Sequence, residues 1–176
     1  MKSYELFGLM SPRMAHEVLE DMVSLDKTVY RAVLEMVAQA RKLRMIFLER
    51  QPRVQRNAMV AGMLSRPVAE QVADNLLRTW LLKKQSRLLS EFLDALHVKH
   101  EKGVVENLPE TVEDAALNEA VNKLLGSHPP ELVAIYLHAF NDMNEARWPN
   151  LEAILYEDAR VMLPQPISEQ ADAPKA

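Results

Sequence analysis

Residues 130–140 read PELVAIYLHAF. Pro129, Pro130 and Glu131 start a helix here, because proline is tolerated at the first helical position. From Leu132 to Phe140 only His138 breaks a run of apolar and aromatic side chains. A helix that is apolar on nearly every side has no face to offer water, so this one belongs at the centre of a core. The strongly apolar stretch, LVAIYL at 132–137, is far too short to span a bilayer.

Helix signals continue on both sides of this segment. Ser11-Pro12 pairs an N-cap residue with proline at the first helical position. Asp26 caps a second helix over 27–48, whose apolar stripe runs Val29, Val33, Met36, Ala40, Leu43 and Phe47. Pro52 ends or bends it, and a shorter helix covers 53–64. Ser65-Arg66-Pro67 opens the longest candidate, up to Val98, with a bend expected in the polar patch Lys83-Lys84-Gln85-Ser86-Arg87. Residues 99–110 form a loop punctuated by Gly103 and Pro109, and Val104-Val105 is too short for a strand. Thr111 with Asp114 resembles a capping box. The helix that follows places Gly126 at its C-cap. Pro149 starts a last helix, ending near Val161.

These elements predict an all-α fold: a compact bundle of about six to seven helices with one long central helix. A short α-solenoid of helix pairs is the alternative, although no fixed repeat period is present. Residues 1–163 read as a single helical domain, divisible into a basic subdomain, 1–98, and an acidic one, 111–163. Pro164, Pro166 and Pro174 mark a flexible acidic tail over 164–176.

Composition agrees. Of the 176 residues, 48% are hydrophobic and 26% charged, which is ordinary for a globular protein. Only 4 glycines are present, fewer than hairpin-rich sheets use. There is no cysteine, so disulfides, thiol catalysis and cysteine-based zinc sites are excluded. The N-terminal sequence lacks the apolar run of a secretion signal, and the expected location is cytoplasmic.

The net charge of −4 hides an asymmetry. Residues 1–90 carry +6 and residues 91–176 carry −10. Positive charge concentrates at 41–56, RKLRMIFLERQPRVQR, where Arg41, Lys42, Arg44, Arg50, Arg53 and Arg56 face one acid, Glu49. These six residues are the candidate partner-binding set. They suit phosphate or carboxylate contact equally. A nucleic-acid surface would add Arg66, Lys83, Lys84 and Arg87, covering the basic 41–87 region. Against it stand a sequence pI near 5.8 and a single aromatic, Phe47, for base stacking. Met45-Ile46-Phe47-Leu48 is apolar round its whole helix, which favours burial by a partner or a second copy. The 10 methionines fill irregular cores and also serve adaptable binding surfaces.

Chemistry is mainly excluded. No Gly-rich phosphate loop, G-x-S-x-G elbow or H-E-x-x-H motif occurs, and no Glu precedes a His by three residues. Asp94, His97, His100 and Glu101 form the weak metal candidate: at helical spacing Asp94, His97 and Glu101 share a face, with His100 on its flank. His and Lys near a helix C-terminus have a simpler role, favouring the negative end of the dipole. His138 suits either a buried base or a hydrogen-bonded core residue. The expectation is a non-enzymatic helical interaction or adaptor protein that acts through a protein partner or self-association. Nucleic-acid binding is the alternative, and an unfamiliar enzyme or metal-binding protein around His97 and His100 the second. No cofactor, membrane contact or small-molecule ligand is identifiable.

Overall fold

A computed structural model describes residues 1–146 and 148–163. Ten α-helices follow one another among them: α1 (Ser3–Leu9), α2 (Pro12–Leu25), α3 (Lys27–Arg41), α4 (Met45–Arg50), α5 (Arg53–Leu64), α6 (Glu70–Lys84), α7 (Ser86–Ala95), α8 (Asp114–Ser127), α9 (Pro130–Met143) and α10 (Pro149–Glu157). The only β pairing among the described residues is an isolated bridge between Glu101 and Val104. The expected flexible tail, 164–176, lies outside the described residues.

The central helix is α9. Every residue from Leu132 to Phe140 is buried. Helices α1, α8 and α10 pack against it. From α7, Phe92 meets Tyr136 and Phe140 edge-on, at centroid distances of 5.6 and 5.3 Å. Trp148 closes the cluster, 5.8 Å from Phe140. On the other side of the molecule α2 packs on α3, α5 and α6, and α1 bridges to α5 and α6. The buried apolar side chains form one cluster running from Leu6 to Leu163, through both the basic and the acidic halves. Contact between α1 and α9 closes the bundle on itself, which the solenoid alternative does not do.

Ten helices replace the expected six to seven for identifiable reasons. Helix α1 has no counterpart in the sequence reading; it is seven residues long and held by Lys2 N–H donating to Glu5 at 2.6 Å. The stretch 27–48 is two helices, because Lys42 adopts the left-handed conformation (φ 52°) and ends α3. Leu43 N–H then reaches back to the Ala38 carbonyl at 2.9 Å, a Schellman bond that satisfies the helix end. The long helix over 67–97 is likewise divided. A 3₁₀ turn, Pro67–Ala69, precedes α6, and Gln85 (φ −108°, ψ 18°) separates α6 from α7 inside the polar patch where a bend was expected. Two caps also differ. Helix α8 begins at Asp114, with Glu113 rather than Thr111 at the N-cap, and it continues through Gly126 to Ser127. Ser11 caps α2 as expected, accepting from Met14 N–H at 3.1 Å.

His138 is a core residue, 1% exposed, on the most buried helix. Neither ring nitrogen has a hydrogen bond of good geometry among the described residues. Burial drives its pKa down to about 4, the Met1 amino group acts in the same direction, and the nearby Val161 backbone opposes them slightly. A His that stays neutral in the fold but charges near pH 6.5 when unfolded costs stability on the acid side. The cost is absent above pH 6.5 and grows as pH falls, reaching about 3 kcal/mol near pH 4. Urea melts of the His138→Leu variant should therefore lose less stability between pH 7 and pH 4 than wild type. Parallel pH curves for the two proteins would show that His138 does not titrate in this way.

Candidate functional site

The end of α3, the whole of α4 and the start of α5 form one surface. Asp26 fixes the beginning of α3 by accepting from Thr28 and Val29 N–H, each at 3.1 Å. The Lys42 turn then stops the helix before the apolar stripe is complete. Leu43 and Phe47, which a continuous helix would have directed at the core, are 42% and 54% exposed. Helix α4 is short, and Leu48 is its one buried residue. Ile46 is 50% exposed. Pro52 ends the segment, with Gln51 extended before it, and leads directly into α5. Leu43, Phe47 and Met59 border an open groove of about 410 Å³, with Gln51 and Gln55 along its edge.

The six basic residues of this stretch separate into two groups. Arg53 donates to Glu20 at 2.8 Å. Arg56 donates to the Tyr30 hydroxyl at 3.2 Å and to the Glu49 carbonyl at 3.1 Å. Both belong to a polar junction around Asn57, which is 1% exposed. Asn57 accepts from the Tyr30 hydroxyl at 2.7 Å and donates to Glu20 at 2.9 Å. Glu20 as a carboxylate only accepts, so the contacting Asn57 atom is the amide nitrogen. His16 Nδ1, 3.1 Å from that nitrogen, is then an acceptor as well. The junction ties α2, α3 and α5 together. Arg53 and Arg56 thus already have partners within the chain, although Arg53 is exposed.

Arg41, Lys42, Arg44 and Arg50 are exposed. Among the described residues none of the four forms an ion pair. Among the described residues, no carboxylate of the acidic half pairs with them. The wider basic set is more committed: Lys84 pairs with Asp21 at 2.9 Å, and Arg87 pairs with Glu91 at 2.7 Å. Arg66 and Lys83 are exposed.

The metal candidate does not assemble. Helix α7 ends at Ala95, before any of its histidines, and His97 is exposed with a left-handed backbone (φ 54°). The helical spacing that aligned Asp94, His97 and Glu101 is therefore absent. His100 is occupied by the turn. Its Nδ1 accepts from Gly103 N–H at 3.1 Å, and its Nε2 meets Asp94 at 3.1 Å. Both ring nitrogens are used. Among the described residues no three His, Asp or Glu side chains gather to hold an ion.

The fold and this surface define an all-α multi-helix protein with an exposed apolar patch rimmed by cations. No protein-family model, curated protein or solved structure matches the chain. No helix among the described residues is long and apolar enough to cross a membrane.

The polar junction makes its own pH prediction. Burial alone would raise the Glu20 carboxyl, but hydrogen bonds from Arg53 and Asn57, with the Arg53 charge, outweigh it and hold the pKa below the ordinary 4.5. Stability from the charged form is present above pH 4.5 and is lost as pH falls through the lower folded value. Glu20→Gln should cost roughly 1 to 2 kcal/mol at pH 7. In denaturant melts that deficit should shrink below pH 4.5. A deficit unchanged at pH 3 would mean that the charge of Glu20 contributes nothing.

Proposed function

We propose that the chain is a non-enzymatic interaction module, and that the α3–α5 surface binds an acidic, amphipathic segment of another protein. The observation that carries this is the pairing of exposed Leu43, Ile46 and Phe47 with four cations that have no carboxylate partner among the described residues. Apolar side chains that stand half out of a surface gain by being covered, on the order of 1 kcal/mol each. Association costs several times that, so the trio alone does not hold a partner. Arg41, Lys42, Arg44 and Arg50 supply the remaining recognition, and they select carboxylates placed beside apolar anchors.

Nucleic acid fits this surface less well. Its centre is apolar where a phosphate track needs charge, and Lys84 and Arg87 are already paired with acids. A twofold self-contact through the same face would set its cations against one another. The acidic partner avoids both problems.

Selection from a random peptide library on the immobilised full chain tests the proposal. Enriched sequences should interleave Asp or Glu with Leu, Phe or Trp. Their affinity should fall with added salt, and should weaken roughly tenfold on Phe47→Ser and on the pair Arg44→Glu with Arg50→Glu. Enriched peptides without an acidic bias, or indifferent to both changes, would refute it.

A further inference from the structure

The chain carries an acidic, amphipathic helix of its own. In α10 Leu151 and Leu155 are buried and Ile154 is half-buried, and the helix packs on α8 and α9. The opposite positions, Glu152, Ala153, Tyr156 and Glu157, form two i, i+4 pairs on one side, and all four are exposed. Tyr156 is 45% exposed, and its ring meets that of buried His138 edge-on, 6.1 Å between centroids, which holds it in place. Met162, 49% exposed, follows just beyond the helix. Glu152 and Glu157 form no ion pair among the described residues.

The neighbouring helix extends the acidic face. Asn150 donates to Asp114 at 2.9 Å at one end of the α8–α10 contact, and Arg160 donates to Asn122 at 2.7 Å at the other. Glu119 stands exposed on α8, one turn before Asn122. Across the two helices the exposed charges are Asp114, Glu119, Glu152 and Glu157 against a single lysine, Lys123. Arg160, beyond the end of α10, is held by Asp158 at 2.6 Å.

This face is the counterpart of the basic one. The α3–α5 surface presents Leu43, Ile46 and Phe47 among Arg41, Lys42, Arg44 and Arg50, and α10 presents Tyr156 and then Met162 among carboxylates. Eight large apolar residues stand exposed among the described residues, and five of them lie in these two places. Within one chain no ion pair joins the two groups, because α4 packs on α3 while α10 packs on α8 and α9. Building on the acidic partner assigned to the α3–α5 surface, we propose that a second copy of this chain is such a partner, with its α10 seated on that surface. Like faces do not serve, since one pairing sets cations against cations and the other carboxylates against carboxylates. Contact between unlike faces covers apolar side chains on both sides and neutralises the charge around them. A foreign acidic segment then competes with self-association for the same surface.

Sedimentation velocity on the full chain tests the contact. At low salt the average mass should rise between about 10 and 500 µM protein, and added salt should return it toward the monomer. Arg44→Glu with Arg50→Glu, and separately Glu152→Lys with Glu157→Lys, should each weaken self-association roughly tenfold or more. An equimolar mixture of the two variants should associate again, because one keeps the acidic face and the other keeps the basic surface. All four residues are exposed, and recovery in the mixture itself shows that both variants fold. In wild type, the amide signals that shift on dilution should cluster at 41–50 and 150–162, a readout that needs no variant. A chain that stays monomeric over the whole range, association indifferent to either charge reversal, or dilution shifts confined to other helices would each overturn the contact. If such a monomer still selects acidic, apolar peptides, the assignment of the α3–α5 surface stands and only its occupation by a second copy falls.

Discussion

A helix without a solvent face has to be enclosed, and α9 imposes that demand on everything around it. Its backbone hydrogen bonds are satisfied internally, so the helix can be buried without orphaning its main chain. What remains is a cylinder of Leu, Val, Ile and aromatic side chains, each contributing about 1.5 to 3 kcal/mol when removed from water. Helices α1, α8 and α10 and the Phe92 face of α7 supply the enclosure. Loops then become struts. Trp148 donates to the Pro109 carbonyl at 2.9 Å, and Asn150 donates to Val112 and Asp114 at 2.7 and 2.9 Å. The long 96–113 connection is thereby pinned to the start of α10.

The second half of the construction is polar. Around Asn57 a tyrosine, a glutamate, a histidine and two arginines hydrogen-bond one another, and α2, α3 and α5 are set in a fixed relation. Such a network is either fully satisfied or very costly. Its effect on the surface is indirect. By engaging Arg53 and Arg56 it leaves the other four cations of the stretch beside Leu43, Ile46 and Phe47. The apolar patch itself exists because Lys42 ends α3 early. Continuation of that helix would have folded the same side chains inward.

Much of the fold was legible where local chemistry is explicit. Pro129-Pro130, Ser11-Pro12, Asp26 and Pro52 each mark a boundary through a mechanism that does not depend on distant contacts. The burial of α9 followed from its pattern alone. What escaped were breaks without a marker. Lys42 is neither Gly nor Pro, yet it takes the left-handed conformation that ends α3, whereas the break at Gln85 falls inside the polar patch that predicted a bend. Helix α1 escaped because Leu6 and Phe7 are buried by other helices, and seven residues do not make a helix alone. The candidate site was half legible. Charge and the MIFL run located it, but which of the six cations find partners within the chain depends on Glu20 and Tyr30, which are remote in sequence.

Glu131 joins two helix starts. Its carboxylate accepts from Ser11 N–H at 2.6 Å and from the Ser11 hydroxyl at 2.8 Å, while that same hydroxyl caps α2. The two residues are 120 positions apart. During synthesis, the start of α2 therefore waits for α9 to leave the ribosome before its cap is locked in place. Helix α1 gains its contact with α9 late in translation, whereas α2 rests mainly on α3, α5 and α6, which are made earlier. The order of synthesis thus separates the two partners of this contact by most of the chain.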